Sequence, residues 1–255
     1  MSKKIGFSSY SVNNYNFDKM ISFCEKYNFN ALEFWLDDLD GSNYQIKTLS
    51  KLSKDEIKIS IHSPILNIGN ESEFSKNKDC LQNVIEKAYL YSAKTVVLHF
   101  GEANNQIDTS KNHPINITIN LLNSILESLA MRNITLSLEN VGYQENDLVK
   151  GFKLHKEIID AINSNYIKAT LDIAHANITS SPEEGVYILG DMVQHLHISD
   201  NHGYLENHHQ PLGLGNIDFK FIKHIISSLG IVAIIEIHPD DNWQQNIIHS
   251  RSILL

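Results

Sequence analysis

The sequence predicts an α/β chain folded as a single (β/α)8 barrel, a TIM barrel, with its active site at the C-terminal ends of the strands. Three observations carry this reading. Eight short apolar runs begin at intervals of roughly 26 to 39 residues, close to the repeat of such a barrel. Amphipathic segments lie between them. From the third run onward, the strands end on histidine or acidic residues, which a buried strand does not need and a site at the barrel mouth does.

In order, the runs are KIGFSS, ALEFWL, IKISIH, TVVLHF, ITLSLEN, IKATLD, VQHLHIS and VAIIEI. Nearly every position is apolar and many are β-branched, the pattern of parallel strands covered on both faces. The spacing of Phe17, Met20, Ile21 and Cys24 predicts a helix over residues 17–27. Leu81, Val84, Ile85 and Ala88 predict another over 80–91, and 115–129 and 219–229 carry the same period. Pro182, followed by Glu183 and Glu184, suits a first helical turn, where carboxylates meet the positive end of the dipole. No linker or low-complexity run divides the chain, so residues 1–255 read as one domain. An open doubly wound sheet would carry a glycine fingerprint after its first strand; here that turn is SSYSVNNY.

With 42% apolar residues, the chain can build a large core. A net charge of −9 argues against broad attraction to nucleic acid or anionic membrane. Cys24 and Cys80 are too few and too isolated for a disulfide framework and read as reduced thiols. No apolar stretch is long enough to span a bilayer, and the N-terminus lacks a signal core, so the expected location is cytoplasmic. Assembly into a homo-oligomer is left open.

Glu139, Asp172 and Glu236 stand at or just past the ends of three apolar runs, where an unpaired carboxylate is costly. Any one of them could cap the following helix. Three at the same end of one barrel repel one another unless a cation sits between them. With His197 they offer three oxygens and one nitrogen, a set suited to Mn2+, Zn2+, Co2+ or Mg2+. His62 and His99 end strands three and four, and His175 follows Asp172 by three residues. In the loop after strand seven, His209 is a further candidate, whereas His208 is expected to face elsewhere. His195 is expected to point away from His197, and His238 can be read either way. His113, His155, His202, His224 and His249 are assigned to surface or helix positions. Phe7, Tyr10, Phe34, Trp35 and Phe100 lie near strand ends, where an apolar wall for a sugar ring competes with core packing. The glycine-rich stretch from Pro211 to Asp218 reads as a tight turn over the barrel mouth; two glycines are only a weak phosphate signal.

The order and spacing of LENVG, LDIAHAN and HLHISDNHG with HHQPLGLGNID resemble the xylose isomerase-like barrel superfamily, over essentially the whole chain. That superfamily includes sugar phosphate isomerases and epimerases, and abasic-site nucleases of the endonuclease IV type (AP endonuclease family 2). In the isomerase branch, the resemblance implies one divalent ion on Glu139, Asp172, His197 and Glu236. Glu139 and Glu236 would also be the catalytic pair, moving a proton through a metal-stabilised enediolate, while His175, His62 and Trp35 contact the substrate. In the nuclease branch, it implies up to three ions, with His62 and His99 joining Glu139, and His175 and His209 holding another.

Two positions depart from the nuclease pattern: Asn207 stands where an acidic ligand is expected, and Ile65 where a tyrosine stacks into the abasic gap. Three carboxylates around one dication leave a net negative charge, tolerable beside a neutral sugar and hostile to a DNA phosphate. The expected activity is therefore that of a divalent-metal-dependent sugar or sugar phosphate isomerase or epimerase. The alternative is a zinc phosphodiesterase cleaving DNA at abasic sites, and a non-catalytic sugar-binding barrel comes third. The expected partner is a small carbohydrate. No lysine or arginine is obvious at the strand ends, which favours an unphosphorylated one.

Overall fold

The computed structural model describes residues 3–102 and 113–255. Eight parallel strands close into a barrel in sequence order, with the last strand pairing back to the first. They are β1 (Lys4–Ser8), β2 (Ala31–Trp35), β3 (Lys58–His62), β4 (Thr95–His99), β5 (Thr135–Glu139), β6 (Ile167–Asp172), β7 (Val193–Ile198) and β8 (Val232–Ile235). Each falls within the run that predicts it. The outer layer comprises α1 (Phe17–Lys26), α2 (Asn43–Lys54), α3 (Phe74–Leu90), α4 (His113–Asn123), α5 (Leu126–Arg132), α6 (Phe152–Ile162), α7 (Ile173–Thr179), α8 (Pro182–Leu189), α9 (Phe219–Leu229) and α10 (Trp243–Leu254).

One helical expectation is corrected. The segment 115–129 is not continuous: α4 stops at Asn123 and α5 starts at Leu126. Ser124 turns its hydroxyl back onto the Leu121 carbonyl at 2.7 Å, a local side-chain bond that competes with helix continuation. By contrast, α8 begins as its sequence suggests. Ser181 caps it by accepting the Glu184 N–H at 3.1 Å, and Pro182 occupies the first turn.

Alternation along each strand divides the barrel into an outer and an inner set. Phe7 of β1 points outward and meets Phe23 and Phe29, with ring centroids 5.4 and 4.9 Å apart. Phe34 of β2 meets Phe17 of α1 at 5.9 Å. The intervening residues therefore face inward. Gly6 is one of them, and a Cβ there would lie 2.2 Å from the Ala31 carbonyl oxygen, so a side chain would force β1 and β2 apart.

The inner set is unusually polar for a barrel core. Below the mouth lie Glu33, Ser60, Ser137, Thr170 and His195, all buried. Thr170 Oγ1 donates to Ser137 Oγ at 2.7 Å, and Ser60 Oγ donates to Glu33 Oε2 at 2.8 Å. Buried polar groups persist when they find partners like these. Above this layer the strand ends converge on the candidate site. Among the described residues, no helix is long and apolar enough to cross a membrane.

Candidate metal centre

Four candidate ligands arrive from four consecutive strands. Glu139 ends β5, Asp172 ends β6, His197 lies near the end of β7 and Glu236 immediately follows β8. One donor atom from each lies within 4.8 Å of the others, and all four side chains are buried. His197 Nδ1 stands 3.1 Å from Glu139 Oε1 and 2.9 Å from Glu236 Oε2. The four residues therefore share one rim and one point.

Asp172 has two duties. Its Oδ1 accepts the His175 N–H at 2.7 Å, capping α7. Asn140 fixes the strand end by accepting the Asp172 N–H at 2.8 Å and donating to its carbonyl at 3.0 Å. Asp172 Oδ2 is buried and has no hydrogen-bond partner among the described residues. An orphaned carboxylate oxygen in that position is expensive unless a cation takes it. Together with the O, O, O, N donor set, this fits a divalent ion of the Mn2+, Co2+, Zn2+ or Mg2+ class.

The electrostatics are those of a tightly coupled cluster. Burial, the largest cause, would raise Glu139 and Glu236, but the surrounding imidazoles together outweigh it, His197 foremost, with His99 and His62 beside Glu139 and His209 beside Glu236. Glu139 is held well below the usual carboxylate range, and Glu236 is lowered to about 2. His197 is raised well above its ordinary value: burial opposes its charge, but Glu139, Glu33 and Glu236 outweigh burial. Asp172 is pushed up to about 6, by burial first, with Glu139 adding to it.

Histidines surround this core in two further groups. His62 and His99 approach Glu139 Oε2 at 3.4 and 3.1 Å. Burial works against protonation of His62, yet Glu139 raises its pKa. Trp35 stacks on His62 with centroids 4.2 Å apart and planes 1° from parallel. Its indole N–H points to Glu236 Oε1 at 3.5 Å. His175 and His209 face each other, Nε2 to Nε2, at 3.2 Å. The Nδ1 of His175 lies 3.0 Å from the Asn140 carbonyl, and that of His209 lies 2.9 Å from the Glu236 carbonyl. Burial lowers both imidazoles to about 4.

Two expectations about histidine direction are corrected. His208 does not turn away: its ring lies 4.5 Å from that of His209 and joins His175 and His209 in a group able to hold an ion. The loop folds back on itself, so adjacent residues share a face that a strand would separate. Asn207, by contrast, is exposed, with a left-handed backbone at φ 55°. His195 does not point away from His197 either. Residues two apart on a strand lie on the same face, and both rings approach Glu33 in the barrel interior.

Of the aromatic candidates, Phe7, Phe34 and Phe100 are buried in packing, while Trp35 and Tyr10 remain half-buried at the mouth. Tyr10 Oη pairs with His238 Nδ1 at 2.8 Å. His155, expected on a surface or helix, sits on α6 but is fully buried against Phe100. The glycine-rich loop is a turn wound around buried Asp200. That carboxylate accepts the Gly213 and Gly215 N–H groups at 2.8 Å each and the Asn201 N–H at 2.9 Å. Those amides are already committed to an anion of the chain itself.

Sequence reasoning misses Glu33, although a charged residue inside ALEFWL is a signal. A glutamate between Leu32 and Phe34 in a strand covered on both faces must enter the barrel, where it needs a partner.

Comparisons with known proteins agree with this fold. Residues 21–253 match the family model described as the xylose isomerase-like TIM barrel. An uncharacterized protein of Methanocaldococcus jannaschii, MJ1311, is 27% identical over 241 residues, covering 90% of this chain and 80% of that protein. A probable endonuclease 4 of Staphylococcus aureus is 26% identical over 186 residues, 66% of this chain and 61% of its own. The crystal structure of a D-tagatose 3-epimerase-like protein superposes with a TM-score of 0.83 at 26% identity, covering 98% of this chain and 95% of that one. The chain belongs to the xylose isomerase-like TIM barrel family.

Proposed function

We propose that the chain is a divalent-metal-dependent epimerase or isomerase of a small carbohydrate, with Glu139 and Glu236 as its proton-transfer pair. The observation that carries this is their convergence: carboxylates from β5 and the end of β8 both reach His197 Nδ1, at 3.1 and 2.9 Å. Similarity to the D-tagatose 3-epimerase-like protein supports the same reading.

Glu139, Asp172, His197 and Glu236 would hold the ion, which supplies positive charge where a carbonyl oxygen of the substrate becomes negative. Both glutamates are held ionised, so each is able to accept a proton. One removes the proton from the carbon beside the carbonyl. The other, having taken a proton from solvent, returns it to the opposite face of that carbon or to its neighbour. Trp35 restrains Glu236 through its indole N–H and offers the substrate an aromatic edge at the mouth. His175 and His62 flank the same space and are suited to bind hydroxyl groups.

The test is solvent deuterium uptake at the carbon beside the carbonyl, over a panel of ketoses and their phosphates, with the chain loaded with Mn2+, Co2+, Zn2+ or Mg2+. Exchange with at least one ketose is expected. No exchange with any sugar under any loading would remove the proposal.

A second reading has its own observation. The groups His62–His99–Glu139 and His175–His208–His209 are both able to hold further ions, as a multi-metal hydrolase requires. Two or three tightly held zinc ions per chain, together with nicking of a duplex carrying one abasic site, would select it over the first.

A further inference from the structure

The buried carboxylate of Glu33 takes no part in the chemistry above, yet it lies directly beneath it. Glu33 sits mid-strand on β2, fully buried, and is reached by side chains of β3 and β7. Its Oε2 accepts from Ser60 Oγ at 2.8 Å and from His195 Nε2 at 2.9 Å. Its Oε1 lies 2.9 Å from His197 Nε2. Those last two atoms face each other out of line for a full hydrogen bond, and neither has another partner among the described residues.

His197 therefore has two unlike sides. Nδ1 faces Glu139 and Glu236, and Nε2 faces Glu33. A neutral imidazole carries one proton, and it binds an ion only through the nitrogen that lacks it. For Nδ1 to offer a lone pair toward the glutamates, the proton must sit on Nε2, where Glu33 Oε1 is the acceptor at hand. A carboxylate behind a ligating histidine fixes ring orientation and tautomer and makes the ligand more basic.

We propose that Glu33 is a positioning residue for the metal centre. It holds the Nε2 proton of His197, so presenting Nδ1 to the ion between Glu139 and Glu236, while Ser60 and His195 hold Glu33 in place. This rests on the reading of Glu139, Asp172, His197 and Glu236 as an ion site. It adds a fifth side chain that never touches ion or substrate.

The experiment compares wild type with Glu33→Gln, Glu33→Asp and Thr170→Val. The last alters the same polar layer through the Thr170–Ser137 bond. Two quantities are measured: the dissociation constant for Zn2+ and Mn2+ by competition with a chromophoric chelator, and which His197 nitrogen carries the proton, by 15N–1H long-range NMR of the Zn2+-loaded chain. Glu33→Gln should weaken ion binding by about 10- to 100-fold, the usual effect of losing such a partner, and should depopulate the Nε2–H form. Glu33→Asp should fall between, and Thr170→Val should bind like wild type whatever its melting temperature.

Binding by Glu33→Gln within about twofold of wild type, with an unchanged tautomer, would overturn the proposal; that bound sits well inside the expected loss. An equal loss in Thr170→Val would overturn it too, since the effect would then be one of general core damage. Should Glu33→Gln not fold, Glu33→Asp decides by the same two readouts. A wild-type chain that binds no divalent ion would sink the ion site itself, an outcome distinct from wild-type binding that ignores Glu33.

Discussion

Replacing Asp172 by Asn should stabilise the metal-free chain while impairing ion binding. The side chain is fully buried, and its pKa is pushed from 3.8 to about 6, with burial the largest cause. A folded pKa above the unfolded one means that the ionised form opposes folding. The penalty is absent below the unfolded pKa and complete once pH exceeds the folded value. At pH 7.5 it amounts to about 3 kcal/mol, because a tenfold change in proton affinity is worth about 1.4 kcal/mol. Asn is nearly isosteric and a comparable N-cap, so its amide oxygen can keep the bond from the His175 N–H. Its NH2 group would replace the orphaned Oδ2, removing the buried charge and a metal ligand together.

Melting curves at pH 7.5 in chelator should place Asp172→Asn several degrees above wild type, since 1 kcal/mol moves a domain of this size by about 2–4 °C. Adding ion at a hundred times its dissociation constant should raise wild type by about 2.7 kcal/mol and the variant by much less. A metal-free variant less stable than wild type, with ion affinity unchanged, would refute the reasoning.

Glu139→Gln and Glu236→Gln should each cut deuterium exchange by about 10²- to 10⁴-fold, the usual worth of a positioned acid or base; circular dichroism confirms that each variant is folded. Retained exchange in either one would remove that residue from the pair. His155, lowered by burial to about 3, stays neutral in the folded state while the unfolded chain protonates from about pH 6.5 downward. Wild type should therefore lose about 2 kcal/mol between pH 7.5 and pH 5 through this residue, a loss absent from His155→Leu in urea titrations at the two pH values. Gly6→Ala should destabilise by about 1–3 kcal/mol or more, because its Cβ would meet the backbone of Ala31.

The barrel is legible because parallel strands covered on both faces must be almost wholly apolar, which leaves few other readings for runs such as TVVLHF and VAIIEI. The rim is legible for the complementary reason: a charge or imidazole ending such a run has no structural need to be there. The layer below is harder to read. Glu33 looks like an interruption of an apolar strand, and only the closed barrel brings it to His195 and His197, the former 162 positions further along the chain. The direction of His195 follows from strand period alone, and the expectation that it points away misapplies that period. His208 is not readable, because its orientation depends on how the loop after β7 returns over the mouth. Likewise the break between α4 and α5 turns on one serine hydroxyl, which periodicity does not weigh.

The winding of that loop around Asp200 separates two jobs along one stretch of chain. Its base is clamped by amides from Asn201, Gly213 and Gly215, and Gly215 has no room for a side chain there. Its tip, with Tyr204 and Leu205, projects into solvent about half exposed. The crest can therefore change in sequence at little structural cost, while the roots keep His209 in register. Tolerance of change and fixed geometry thus sit a few residues apart on one loop.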